Sequence, residues 1–185
     1  LDHAGNIYVG GTTTSPDFPS GHPLGAAAPL GAAAPRSFVM KLTSDGSQML
    51  WATLFGQLNT RISALTIAPD DAIVVGATRI LDSFGNTRAL IAKLDPASGS
   101  EIWSQEFYGG QLACSGGSTC FLSGRTNTVS GVALDAAENI YLTGNTNTTD
   151  FPTTPGSLLQ NGYGPYVWKF SPTGSLLWST YLSDN

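Results

Sequence analysis

The sequence repeats itself. Ile7-Tyr-Val-Gly-Gly-Thr-Thr13 returns as Ile73-Val-Val-Gly-Ala-Thr-Arg79 and again as Ile140-Tyr-Leu-Thr-Gly-Asn-Thr146, at offsets of 66 and 67 residues. Asp17-Phe18-Pro19 returns as Asp150-Phe151-Pro152, 133 residues later. Two markers with one period describe a chain of stacked copies, each too small to bury its own apolar surface.

Each copy holds short apolar runs separated by turn residues, as strands require. The third copy runs Ser130–Asp135, Ile140–Thr146, Tyr166–Phe170 and Leu176–Leu182. The second runs Ala64–Ala68, Ile73–Thr78, Ala89–Leu94 and Glu101–Tyr108, and the first Ile7–Thr12, Ser37–Leu42 and Gln48–Phe55. That predicts eleven strands and no helix. In the penultimate strand of each copy, Phe38, Met40 and Leu42 alternate with Val39 and Lys41; Leu90, Ala92 and Leu94 with Ile91 and Lys93; Tyr166, Trp168 and Phe170 with Val167 and Lys169. Period two sends the two sets to opposite faces. Trp51, Trp103 and Trp178 occupy matching positions in the last strands, so both faces are apolar. A four-stranded antiparallel unit that is apolar on both faces must lie between neighbours of its own kind. The expected fold is all-β, made of β-propeller blades. Eleven strands make about 2.75 blades, in units spanning approximately 1–63 (incomplete), 64–129 and 130–185. Because a ring needs about four or more blades, the expectation is a segment of a larger propeller or one completed by other copies.

Composition excludes several classes. Charged residues are 11% of the 185, against about 25% in an average soluble domain, while Gly and Pro number 22 and 11. Salt-bridged helical bundles do not fit. With 8 Lys+Arg against 13 Asp+Glu, no basic face is available for nucleic acid. No apolar run is long enough for a membrane-spanning helix.

Asn139-Ile-Tyr-Leu-Thr-Gly-Asn-Thr146, Thr149-Asp-Phe-Pro-Thr-Thr-Pro-Gly156 and Val167-Trp-Lys-Phe-Ser-Pro-Thr-Gly-Ser-Leu-Leu-Trp-Ser-Thr-Tyr-Leu182 resemble the SBBP β-propeller repeat. The resemblance implies a propeller of about seven blades and a bacterial extracellular or cell-surface location, with the periplasm as an alternative. It brings no catalytic residues. Asp95-Pro-Ala-Ser-Gly99 with Trp103 is more weakly similar to the tryptophan-docking repeat of quinoprotein dehydrogenases. The other copies depart from that pattern, so the three tryptophans read as blade packing.

Signs of chemistry are sparse. His3 and His22 read as loop residues, and there is no G-x-S-x-G elbow for a nucleophile. Cys114 and Cys120, amid Gly and Ser, suit a small disulfide loop better than a zinc site. Asp70-Asp71 matches the turns at Gly5-Asn6 and Glu138-Asn139; Asp135 with Glu138, or Asp2 beside Asn6, are the only candidate calcium ligands. Lys41, Lys93 and Lys169 form either a partial cationic ring or separate pairs with carboxylates. Asn147-Thr148-Thr149 is a glycan-attachment sequon, and Phe18, Phe151 and Tyr163 are candidate ligand contacts, with Phe-Pro alternatively pinning a loop onto a blade. The tandem Pro23-Leu-Gly-Ala-Ala-Ala28 and Pro29-Leu-Gly-Ala-Ala-Ala34 reads as a duplication tolerated in a surface loop. The functional expectation is a non-enzymatic propeller without cofactor, serving surface structure, adhesion or protein contact. The alternatives are a carbohydrate-binding or enzymatic propeller completed by other blades, and a subunit of an extracellular assembly.

Overall fold

A computed structural model describes residues 1–15, 18, 35–107 and 124–183. Cys114, Cys120, His22 and the duplicated hexapeptide lie outside the described residues. Among those described there are eleven strands and no helix: β1 (Ile7–Thr13), β2 (Arg36–Leu42), β3 (Met49–Phe55), β4 (Thr60–Ile67), β5 (Ile73–Ile80), β6 (Thr87–Leu94), β7 (Glu101–Phe107), β8 (Asn127–Leu134), β9 (Ile140–Thr146), β10 (Gly164–Phe170) and β11 (Leu176–Tyr181). They form three antiparallel sheets, β1-β2-β3, β4-β5-β6-β7 and β8-β9-β10-β11, each pairing strands in chain order.

The turns explain the meander. Gly5, Asp71 and Glu138 all have positive φ ahead of β1, β5 and β9. Asp71 rather than Asp70 therefore takes the place of Gly5, in a conformation that Asp tolerates better than bulkier residues. Gly46, Gly99 and Gly174 have φ of 71°, 70° and 86° in the turns between the last two strands of each sheet.

β4 and β8 begin several residues before the apolar runs that announce them. Each carries a β-bulge, between Ile62 and Ala64 in β4 and between Val129 and Gly131 in β8. The unpaired serine of each bulge, Ser63 or Ser130, shifts the side-chain alternation by one. The first halves, Thr60-Arg61-Ile62 and Asn127-Thr128-Val129, therefore fall out of phase with the apolar second halves.

The sheets stack face to face around two cores. Val39, Trp51 and Phe55 of the first sheet pack with Ile73, Val75, Leu90, Ala92 and Leu94 of the second. The other face of the second sheet, with Val74, Ala89, Ile91, Trp103 and Phe107, meets Ile140, Leu142, Tyr166, Trp168 and Phe170 of the third. Close approach is built in: a Cβ on Gly76 would lie 2.8 Å from Val129 Cγ1. Alternation by two thus sets one row toward the preceding sheet and the other toward the following one.

Candidate functional site

The face each sheet turns to its successor carries a recurring cluster. Lys41 lies directly opposite Trp51, Lys93 opposite Trp103 and Lys169 opposite Trp178. Trp51, 6% exposed, donates its indole N–H to the carbonyl of Pro96 in the next sheet at 3.2 Å, and Lys41 Nζ donates to the same oxygen at 3.2 Å. Trp103 repeats the contact one sheet on, donating to Pro172 O at 3.3 Å, with Gln105 reaching Gly174 O at 2.6 Å. The two receiving turns are shaped for the ring. A Cβ on Gly99 would lie 2.6 Å from Trp51, and one on Gly174 2.9 Å from Trp103. Positive φ and close approach both demand glycine there.

Among the described residues, Trp178 meets no such turn. It is 37% exposed, no described residue accepts its N–H, and its one ring contact among the described residues is the edge of Tyr141 at 6.2 Å. Trp51 makes the equivalent contact with Tyr8 at 6.0 Å. Beside Trp178, Val167, Leu177 and Leu182 line a groove of about 570 Å³, walled by Pro155 and Leu158.

Each lysine pairs with a carboxylate of its own sheet, at 3.0 Å for Lys41–Asp2, 2.8 Å for Lys93–Asp70 and 3.0 Å for Lys169–Asp135. They form separate pairs. Lys41 and Lys169 also sit over the rings of Tyr8 and Tyr141, at 5.1 and 4.8 Å from the centroids. Burial opposes the charge on Asp2, but hydrogen bonds from Asn6 and the Lys41 ammonium outweigh it and hold the carboxyl well below the usual carboxylate range. Asp135 is held down likewise, first by Asn139 and then by Lys169. Tyr141 and Asp135 raise the affinity of Lys169 for its proton. In the second sheet Ala68 and Val74 stand where the others have Asp and Tyr. Asp70, two residues further along the turn, supplies the carboxylate, and Lys93 holds its pKa down against the cost of burial.

The remaining sequence candidates are scattered. Phe151 is 2% exposed, its ring packed on Tyr166 at 4.5 Å and Trp168 at 4.8 Å. Its N–H donates to Tyr181 Oη at 2.8 Å, and that hydroxyl donates to Thr148 O at 2.8 Å. The ring fastens a loop to the sheet and offers no face to solvent. Phe18 lies against Phe38 at 4.7 Å, while Tyr163 is 50% exposed. Asn147 Oδ1 accepts from Thr126 N at 2.8 Å and its amide donates to Gly124 O, so both ends of the sequon side chain hold the backbone. His3 pairs with Asp71 across two sheets at 2.8 Å. Asp135 accepts from Ala137 N, Asn139 N, Asn139 Nδ2, Tyr141 Oη and Lys169 Nζ, a carboxylate committed to protein donors. Among the described residues, no three His, Cys, Asp or Glu side chains gather as a metal site.

Two parts of the cluster escape sequence reasoning: the turn carbonyls that receive each indole, and the tyrosine beneath each outer lysine. The Pro-x-x-Gly of 96–99 and the shorter Pro172-Thr-Gly174 turn are the signal for the first. The recurring Ile-Tyr at 7–8 and 140–141 is the signal for the second.

Residues 102–152 match the family model of the SBBP beta-propeller repeat. That segment is similar to an SBBP repeat. The matched segment begins inside β7, takes in β8 and β9, and ends at Pro152. No curated protein matches the chain. Among solved structures, the chain is similar to quinohemoprotein alcohol dehydrogenases from Comamonas testosteroni (TM-score 0.54, 12% identity, 82% of this chain and 26% of that one) and Pseudomonas putida (TM-score 0.53, 14% identity, 82% and 25%). It also aligns with a protein of unknown function from Bacteroides caccae (TM-score 0.40, 16% identity, 81% and 42%). The chain spans about a quarter of the dehydrogenases' length and under half of the third protein's. At these identities the likeness is one of fold: four-stranded antiparallel blades arranged as in a propeller.

Proposed function

We propose that this chain is a non-enzymatic β-propeller repeat that makes protein contacts through its blade faces, in a bacterial protein at the cell surface or outside the cell. The observation carrying this reading is Trp178, which sits with Lys169 and Tyr141 in the arrangement that Trp51, Lys41 and Tyr8 use to hold a neighbouring turn, yet is open. An exposed indole whose N–H meets no acceptor among the described residues, with a cation beside it, is the composition of a protein-contact hot spot. Several charged groups of the described faces are taken up in pairs within the chain, Lys41 with Asp2 and Lys169 with Asp135 among them, which supports the same reading. The extracellular location rests on the SBBP likeness, and Thr- and Ser-rich loops with few charges agree with it.

The test is a photo-crosslinking amino acid at position 177, beside Trp178, in the protein as its host makes it. Polypeptide adducts that depend on Trp178 are expected. Adducts to glycan alone, no adducts at all, or redox or hydrolytic turnover by the protein would overturn the reading.

A further inference from the structure

We propose that Asn161 is a site of spontaneous deamidation, at which the folded chain presents an Asn-Gly pair to cyclisation and residue 161 passes to aspartate and isoaspartate. Within the sequence, Asn161 alone among the asparagines precedes a glycine.

In the step, the backbone nitrogen of Gly162 gives up its proton and attacks Asn161 Cγ. The side-chain nitrogen takes up a proton and leaves as ammonia, and a succinimide ring closes. Water then opens the ring at either carbonyl. Opening at Cγ leaves an ordinary aspartyl link, whereas opening at the α-carbonyl carries the chain on through Cγ as isoaspartate. The net exchange is NH2 for OH, with water consumed and ammonia released, so no oxidant or cofactor takes part. A following glycine favours closure because no Cβ crowds the attacking nitrogen.

The fold decides which pairs can react. Asn161 is exposed, in a bend shortly before β10. Among the described residues, neither its side-chain amide nor the Gly162 N–H makes a hydrogen bond. Asn6, Asn86, Asn127, Asn139 and Asn147 each spend their amide N–H on a carboxylate or a carbonyl. A second pair able to close the same ring is Asp45-Gly46. There both partners are tied: Asp45 Oδ1 accepts from Thr43 Oγ1 at 2.6 Å and Ser47 N at 3.0 Å, and Gly46 N–H donates to Thr43 O at 2.9 Å. Those hydrogen bonds, the one from Thr43 first, pull the Asp45 pKa down to about 2. The carboxyl stays ionised, and a carboxylate carbon is a poor target for a nitrogen nucleophile. The fold therefore protects one pair and leaves the other open. The site also has little slack. A Cβ on Gly162 would strike Ser183 O, and Leu159 latches the same loop to β11, donating to Thr180 Oγ1 at 2.9 Å and accepting from Tyr181 N at 3.1 Å. An isoaspartyl link, longer by one backbone atom, strains this latch.

Peptide mapping of the aged protein tests the site. The protein as its host makes it is held at near-neutral pH, one portion folded and one in guanidinium chloride. Each portion is then digested and mapped by mass, with protein L-isoaspartate methyltransferase and labelled S-adenosylmethionine marking isoaspartate. In the folded portion the peptide containing residue 161 is expected to gain the mass of OH for NH2 and to take label, while the peptide containing Asp45 takes none. In guanidinium chloride both peptides are expected to take label, because the bonds that shield Asp45-Gly46 are gone. Asn161→Gln, whose longer side chain closes a larger ring far more slowly, is expected to lose the label at 161 while leaving the fold intact. No conversion at residue 161 in the folded protein, conversion there only in guanidinium chloride, equal labelling of the two peptides in the folded portion, or label at 161 that survives Asn161→Gln would each overturn the proposal.

Discussion

The carbonyl oxygen of Pro96 receives two donors from the neighbouring sheet, the indole N–H of Trp51 and the ammonium of Lys41, each at 3.2 Å. Lys41 is in turn held at 3.0 Å by Asp2 and sits over the ring of Tyr8. One backbone oxygen thereby ties the turn of the second sheet to four side chains of the first, and a charged donor makes its bond stronger than a neutral one.

Trp51→Phe keeps an aromatic ring but deletes the N–H, with an expected loss of about 1 kcal/mol. Trp51→Ala empties a buried site and is expected to cost about 3–5 kcal/mol. Trp178→Ala, at a ring that is partly exposed in residues 1–185, is expected to stay within about 0.5 kcal/mol of the unsubstituted segment when that segment is studied alone. Urea unfolding of the three variants measures this order.

Gly99→Ala and Gly46→Ala share a backbone cost, since φ is 70° and 71° and a side chain in that region costs about 1–2 kcal/mol. Only at Gly99 does the new Cβ strike an indole, at 2.6 Å. Gly99→Ala is expected to be more destabilising by at least about 1 kcal/mol, and the same unfolding measurement compares the pair.

Stability should fall in acid. Asp2 and Asp135 have folded pKa values below the ordinary carboxylate range, so below about pH 4 the unfolded chain binds more protons than the folded one. Their contribution is full above the unfolded pKa and is lost as pH falls through the folded values. Asp2→Asn is expected to flatten the acid limb. At neutral pH it leaves the half-buried Lys41 without its counter-charge, at a cost of about 1–2 kcal/mol. Unfolding free energy measured from pH 2 to 7 checks both the slope and its loss.

Tyr181→Phe removes the hydroxyl between Phe151 N–H and Thr148 O. It leaves a buried donor and acceptor unpaired, at an expected cost of about 1–3 kcal/mol. Hydrogen exchange at the Phe151 amide is expected to accelerate while β9 keeps its protection.

The sequence shows the blade plan because alternation by two and a period near 66 residues are properties of side chains. Lys41 and Trp51 share a face for the same reason. What the alternation hides is equally physical. The bulges at Ser63 and Ser130 break the phase, so β4 and β8 read as shorter than they are. The partner of Trp51 is a backbone carbonyl, which leaves no mark in residue identity beyond the glycine that makes room for the ring. Asp70 replaces the carboxylate absent at position 68 from a different step of the turn, which position-by-position matching passes over. For Phe151 the sequence leaves ligand contact and loop-pinning both open, and the three-dimensional packing on Tyr166 and Trp168 decides for the second.

Among the described residues every ladder joins strands adjacent along the chain, and the two cores each lie between consecutive sheets. Such a stack behaves as a row of coupled segments, with most of the cooperativity residing in the junctions. The second sheet is clasped on both sides, with Ile73, Val74, Val75, Ile91 and Leu94 wholly sheltered, while among the described residues the first and third sheets each pack on one. Loosening is therefore expected to travel inward from the two outer sheets. The middle one is the slowest to exchange its amides and the last to surrender its structure to denaturant.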